Sequence, residues 1–175
     1  MQQRDDVAGR GPEPILLFLR MAPVWVFVDE VRHFVESFCA CAGVGPERES
    51  QLALATHELL QNAITNSTST SIELRLAIDR TRDTVEVSLT NACSPAASKV
   101  LCSRLAALRD ADPLTSYLEA MSLDPEATGG LGLARVRYEA QLELELETDG
   151  DRSTVRAFGK VNPPPLSGAK GVLHG

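Results

Sequence analysis

Leu52-Ala-Leu-Ala-Thr-His-Glu-Leu-Leu-Gln-Asn-Ala-Ile64 is the stretch on which the reading of the chain turns. Leu52, Leu59 and Ala63 fall on one stripe at helical spacing, and neither proline nor glycine interrupts the run. Glu58 and Asn62 stand four positions apart, so they project from one face of that helix. A carboxylate accepts protons and a carboxamide offers a neutral oxygen ligand. Together they suit Mg²⁺ beside a polarised hydroxyl or water better than they suit packing.

Working outward, Pro46 is placed as the first residue of this helix, which is expected to run to about Thr65. Before it, Val24, Phe27, Val28, Val31, Phe34, Val35 and Phe38 recur at helical spacing up to Ala42, and Gly43-Val-Gly45 ends that helix. Ile15 to Leu19 reads as a short buried strand. After it, Thr65-Asn-Ser-Thr-Ser-Thr-Ser71 is a polar connector, because short hydroxyl and amide side chains compete for backbone hydrogen bonds.

Ile72, Leu74, Leu76 and Ile78 then alternate with polar or small residues, as do Val85, Val87 and Leu89. The short Arg80-Thr-Arg-Asp83 link makes these an antiparallel hairpin with one covered face. Residues 92 to 128 lose strand periodicity and carry expected helices near 97–109 and 114–121; an excursion of this length is expected to be functional and lid-like.

Thr128-Gly-Gly-Leu-Gly-Leu-Ala-Arg-Val-Arg-Tyr138 is a glycine-rich turn opening into a helix, a geometry that brings backbone amides and a helix amino terminus up to phosphate oxygens. The last hairpin pairs Leu142, Leu144 and Leu146, alternating with a solvent row of Glu143, Glu145 and Glu147, with a strand over 153–158 across Asp149-Gly150. These readings divide the chain into a flexible leader over 1–13, one folded domain over 14–159 with the lid-like insertion at 92–128, and a disordered tail over 160–175.

Composition narrows the partners. The chain has 175 residues, 43% hydrophobic, enough for one core, and a formal net charge of −7, which argues against direct nucleic acid and anionic membrane as partners. The apolar run at Ile15 stops at Arg20, far short of the roughly 20 residues a membrane helix needs. The acidic Asp5-Asp6 start is wrong for a signal peptide, so a cytoplasmic protein is expected, and Cys39, Cys41, Cys93 and Cys102, which lack the Cys-x-x-Cys spacing of zinc sites, read as reduced thiols. His57-Glu58 begins like a zinc-protease motif, but Gln61 stands where the second histidine belongs. His57-Glu58-Leu59 resembles a histidine-kinase phosphoacceptor box, without the proline-containing run that continues it.

The order strand, helix, Glu-x-x-x-Asn helix, hairpin, insertion, glycine turn into helix, final hairpin resembles the ATP-binding domain of the GHKL superfamily, and within it the small anti-sigma-factor serine/threonine kinases. Glu58-Leu-Leu-Gln-Asn62-Ala63 is similar to that family's N box and Gly129-Gly-Leu-Gly-Leu133 to its second glycine box, 67 positions after Asn62. The resemblance implies an α+β fold: a two-layer α/β sandwich with helices on one face of a mixed, mostly antiparallel sheet. It implies ATP and Mg²⁺ as cofactors, with Asn62 on Mg²⁺ and Gly129, Gly130, Leu131, Gly132 and Leu133 around the phosphates. Glu58 would act as the base toward a partner's serine or threonine hydroxyl. The implied partner is an anti-anti-sigma-like antagonist or a sigma factor, and the implied assembly a homodimer.

One box departs from the pattern. Where the family carries Asp-x-Gly-x-Gly, this chain reads Asn91-Ala-Cys-Ser-Pro95, so Asn91 stands at the adenine-recognising position and both glycines are absent. A neutral acceptor there weakens the adenine contact by roughly 1 kcal/mol. A catalytically inactive domain of the same shape, working by protein–protein partner switching, therefore stands beside the kinase.

Overall fold

The computed structural model describes residues 13–122 and 130–165. Five strands form one sheet: β1 (Ile15–Met21), β2 (Ile72–Asp79), β3 (Thr84–Ala92), β4 (Glu143–Asp149) and β5 (Arg152–Lys160), in the order β1-β2-β3-β5-β4. Every ladder between them is antiparallel. Among the described residues five helices accompany the sheet: α1 (Phe27–Cys41), α2 (Pro46–Asn66), α3 (Pro95–Asp110), α4 (Pro113–Ser122) and α5 (Leu131–Tyr138). This is the expected two-layer α/β sandwich.

Strand alternation sorts the side chains. Leu74, Leu76, Val87, Leu89, Val155 and Ala157 face the helices and are almost fully buried. The opposite face carries ion pairs instead, in which Glu73 joins Arg20 to Arg152 and Glu86 joins Arg75 to Arg156. A sheet with one apolar and one charged face has a single side on which to place helices. The register follows, since a one-residue slip would turn Leu74 and Leu76 to water.

The β2–β3 turn is fixed locally. Asp79 Oδ1 accepts from the amides of Thr81 and Arg82 at 3.0 and 2.9 Å, and Asp83 takes a positive φ of 53°. α1 ends at Gly43, whose φ of 71° suits a residue without Cβ, while the Val44 amide reaches back to the Cys39 carbonyl. α3 begins at Ser94, which accepts from the Ala97 amide at 3.2 Å, with Pro95 in its first turn.

Three differences from the sequence reading have physical causes. β1 is an edge strand: Leu17 is buried, but Leu16 and Phe18 are 56% and 61% exposed, because an unbroken apolar run resembles a strand covered on both faces and here only one face is covered. Arg20 belongs to β1, where it reaches Glu73 across the charged face. The packed chain continues past 159: Lys160 closes β5, Val161 is buried in the core, and the Asn162 amide donates to Asp83 Oδ1. Residues 1–12 of the expected leader, 166–175 of the expected tail and 123–128 of the insertion lie outside the described residues.

Within the insertion, α3 sends Leu101 and Leu105 into the core. Its carboxyl end is held by Arg137 of α5, whose Nη1 donates to the carbonyls of Leu108 and Ala111. A guanidinium there joins the Ala111 amide on the Leu108 carbonyl, satisfies the Ala111 carbonyl and matches the negative end of the dipole.

Candidate functional site

α2 runs under the sheet with Leu52, Leu59, Leu60 and Ala63 buried, so the face bearing Glu58 and Asn62 is fixed in rotation. Glu58 is 8% exposed; Asn62, one turn on, is half-buried. Asn62 Oδ1 and its main-chain carbonyl both receive Asn66 Nδ2, at 3.3 and 2.8 Å. The carboxamide is therefore held by its own helix.

The glycine turn meets this face. Gly130 is the amino-terminal cap of α5 and contributes no side-chain cap bond, so the first-turn amides of Leu131, Gly132 and Leu133 have no partner within the helix. Gly132 packs directly against Glu58: a Cβ there would collide with Oε2 and crowd the carboxyl carbon. Leu133 is buried and anchors the turn in the core, while Gly130 and Leu131 are half-buried. Gly129 lies outside the described residues.

A residue with no assigned place in the sequence reading completes the contact. Arg135 of α5 donates from Nη1 to Glu58 Oε1 at 2.5 Å, and from Nε and Nη2 to Glu139 at 3.0 and 3.3 Å. The Glu139 hydrogen bond, with Glu58 adding its charge, raises the Arg135 pKa above the usual arginine value. Glu139 also bonds the Tyr117 hydroxyl of α4 and holds the phenol pKa above its ordinary range, and Tyr117 stacks on Tyr138 with ring centroids 5.0 Å apart. The spacing Arg135-x-x-x-Glu139 was a legible signal for a helical ion pair; the reach to Glu58 was not.

Asn91 is 7% exposed at the end of β3, and its Nδ2 lies 3.4 Å from the Ala63 carbonyl and 3.3 Å from that of Ala92. The carboxamide thus ties the sheet to α2 through its nitrogen, while its oxygen is an acceptor. Nearby, Cys93 Sγ meets Ser153 Oγ at 3.0 Å, and Ser153 Oγ reaches Ser98 Oγ of α3 at 3.3 Å. α3 therefore starts against the strand ends beside Asn91.

The donor set fits a nucleotide with Mg²⁺. First-turn amides without a partner inside the helix, beside a glycine that leaves no room for a side chain, suit phosphate oxygens, and a lone carboxamide suits a cation that keeps most of its ligands as water and phosphate. Among the described residues no three His, Cys, Asp or Glu side chains gather to cage a metal, and no helix is long and apolar enough to cross a membrane.

A family model described as the histidine kinase-like ATPase domain matches residues 27–157. Among solved structures the fold is similar to a chain of the SiaB–SiaC complex from Pseudomonas aeruginosa, with a TM-score of 0.63 and 16% identity over 82% of this chain and 88% of that one. No curated protein matches the sequence.

Proposed function

The chain belongs to the histidine kinase-like ATPase domain family, and from that premise we propose that it is an anti-sigma-type regulator that binds ATP with Mg²⁺ and phosphorylates a serine or threonine of a protein partner. The observation that carries this reading is the packing of Gly132 against the Glu58 carboxylate, which sets the glycine turn beside the one helix face bearing both a base and a metal ligand. Bound Mg-ATP supplies the phosphoryl group. The amides of Gly130 to Leu133 would hold its phosphates, and Asn62 Oδ1 would hold the metal. Glu58 would serve as the base that takes the proton of the partner's hydroxyl. Asn91 Oδ1 would receive the adenine amine.

The partner is an antagonist domain that presents the hydroxyl or a sigma factor that is sequestered; the chain's net charge of −7 supports a basic surface on it. A homodimer and a cytoplasmic setting complete the reading. For the dimer, the edge strand β1 offers the uncovered side chains of Leu16 and Phe18.

A second reading has its own observation. Glu58 is already paired with Arg135 and Asn91 is tied to α2, an arrangement that suits a binding module without catalysis. Glu58→Ala separates the two. The kinase reading requires loss of phosphate transfer to the partner with partner binding retained. Unaltered transfer from a stably folded Glu58→Ala protein sinks it.

A further inference from the structure

A carboxylate oxygen already held by a donor is not open to a partner's hydroxyl. Glu58 Oε1 lies 2.5 Å from Arg135 Nη1, and the side chains are 8% and 34% exposed. That short charge-assisted hydrogen bond occupies Oε1, so the oxygen is engaged before any hydroxyl can reach it. Arg135 is nevertheless not bound to Glu58 alone. Nε and Nη2 hold Glu139, one turn further along α5, so Nη1 is the arm directed at Glu58. Glu139 is in turn held by Tyr117 of α4, which stacks on Tyr138. The guanidinium has a fixed anchor and one exchangeable arm.

That arm sits on the helix whose first turn faces the Glu58 side of α2, three positions after Gly132. An anion brought to this turn competes with Glu58 for the same donor. A terminal phosphate carries more charge than a carboxylate and has three oxygens to offer, so it is the stronger competitor. Tyr117 and Glu139 keep the charge in place during the exchange.

We propose that Arg135 is a phosphate-responsive latch: in the empty site it pairs with Glu58, and in the loaded site its Nη1 arm passes to the terminal phosphate, releasing the Glu58 carboxylate to act as base. This rests on the ATP-binding reading above and adds to it the residue that keeps the base silent until nucleotide is present. No bond other than hydrogen bonds changes in the exchange.

The test is calorimetric titration of the full chain with Mg-ATP and with adenosine, in the wild type, Arg135→Met, Glu58→Gln and the double variant. Removing the arm is expected to weaken Mg-ATP about tenfold or more, the scale of a charge-assisted hydrogen bond, with adenosine unchanged. Removing the competing carboxylate in Glu58→Gln is expected to strengthen Mg-ATP several-fold, a gain that vanishes in the double variant. Arg135→Lys, which keeps the charge and loses the fork, is expected to fall between wild type and Arg135→Met and serves if the methionine variant does not fold. A wild type that binds both ligands while Arg135→Met or Arg135→Lys weakens them equally, or while Glu58→Gln leaves Mg-ATP unchanged or weaker, overturns the latch and leaves the ATP reading standing. A wild type that binds neither ligand overturns both.

Discussion

Arg135 and Glu58, 77 positions apart in the chain, meet at 2.5 Å between Nη1 and Oε1. The contact joins the helix that follows the glycine turn to the helix that carries the carboxylate and carboxamide pair. It exists because Gly132 lets the two helices approach until no side chain would fit between them.

Gly132→Ala should therefore lower stability by about 1–3 kcal/mol, the usual range for forcing an extra methyl into a packed site. Urea denaturation reads the loss. In a Glu58→Ala background most of the penalty should disappear, since the colliding carboxylate is gone; an equal penalty in both backgrounds would place the strain elsewhere.

The sheet's two faces should respond differently to truncation. Leu76 on β2 is fully buried, so Leu76→Ala should cost about 2–5 kcal/mol. Phe18 on β1 is 61% exposed, and Phe18→Ala should stay within about 0.5 kcal/mol at dilute concentration. Comparable losses would contradict the assignment of the covered face.

Thiol chemistry should divide the cysteines in two. Burial, with Glu49 nearby, pushes the Cys39 thiol up to about 12, and Cys93 is buried, while Cys41 and Cys102 are exposed. Iodoacetamide at pH 8 under native conditions should label Cys41 and Cys102, with Cys39 and Cys93 reacting on denaturation. Peptide mass spectrometry decides this, and rapid native labelling of Cys39 would refute the packing of α1.

Acid should weaken the charged face. The Arg20 hydrogen bond, with Arg152 beside it, holds the Glu73 carboxyl below the usual carboxylate range. A carboxyl depressed in the folded state contributes stability above its unfolded pKa, near 4.3, and loses it as pH falls through the lower folded value. The contribution should be about 0.5 kcal/mol, because Arg20 and Arg152 are largely solvated. Glu73→Gln should lower Tm slightly at pH 7 and flatten its fall below about pH 4. A parallel acid limb in wild type and variant would remove Glu73 from the account.

The elements were legible wherever periodicity or a local breaker carried them. Pro46 and the stripe of Leu52, Leu59 and Ala63 gave α2 to within a residue at its end, and the alternation of Leu74, Leu76, Val85 and Val87 gave the central hairpin. The exposure of Leu16 and Phe18 was not legible, because a single apolar run does not say whether a second layer covers it. The Glu58 and Asn62 face could be read because both residues lie on one helix. Arg135 at Glu58, Arg137 on the end of α3 and Asn91 Nδ2 on Ala63 could not, since each depends on how separate elements cross.

The most direct test of the central claim is isothermal titration with ATP, with and without Mg²⁺, in the wild type and in Asn62→Ala. The account predicts micromolar, Mg²⁺-dependent binding that is lost in Asn62→Ala. Absence of binding at millimolar ATP, or binding indifferent both to Mg²⁺ and to Asn62, would contradict it.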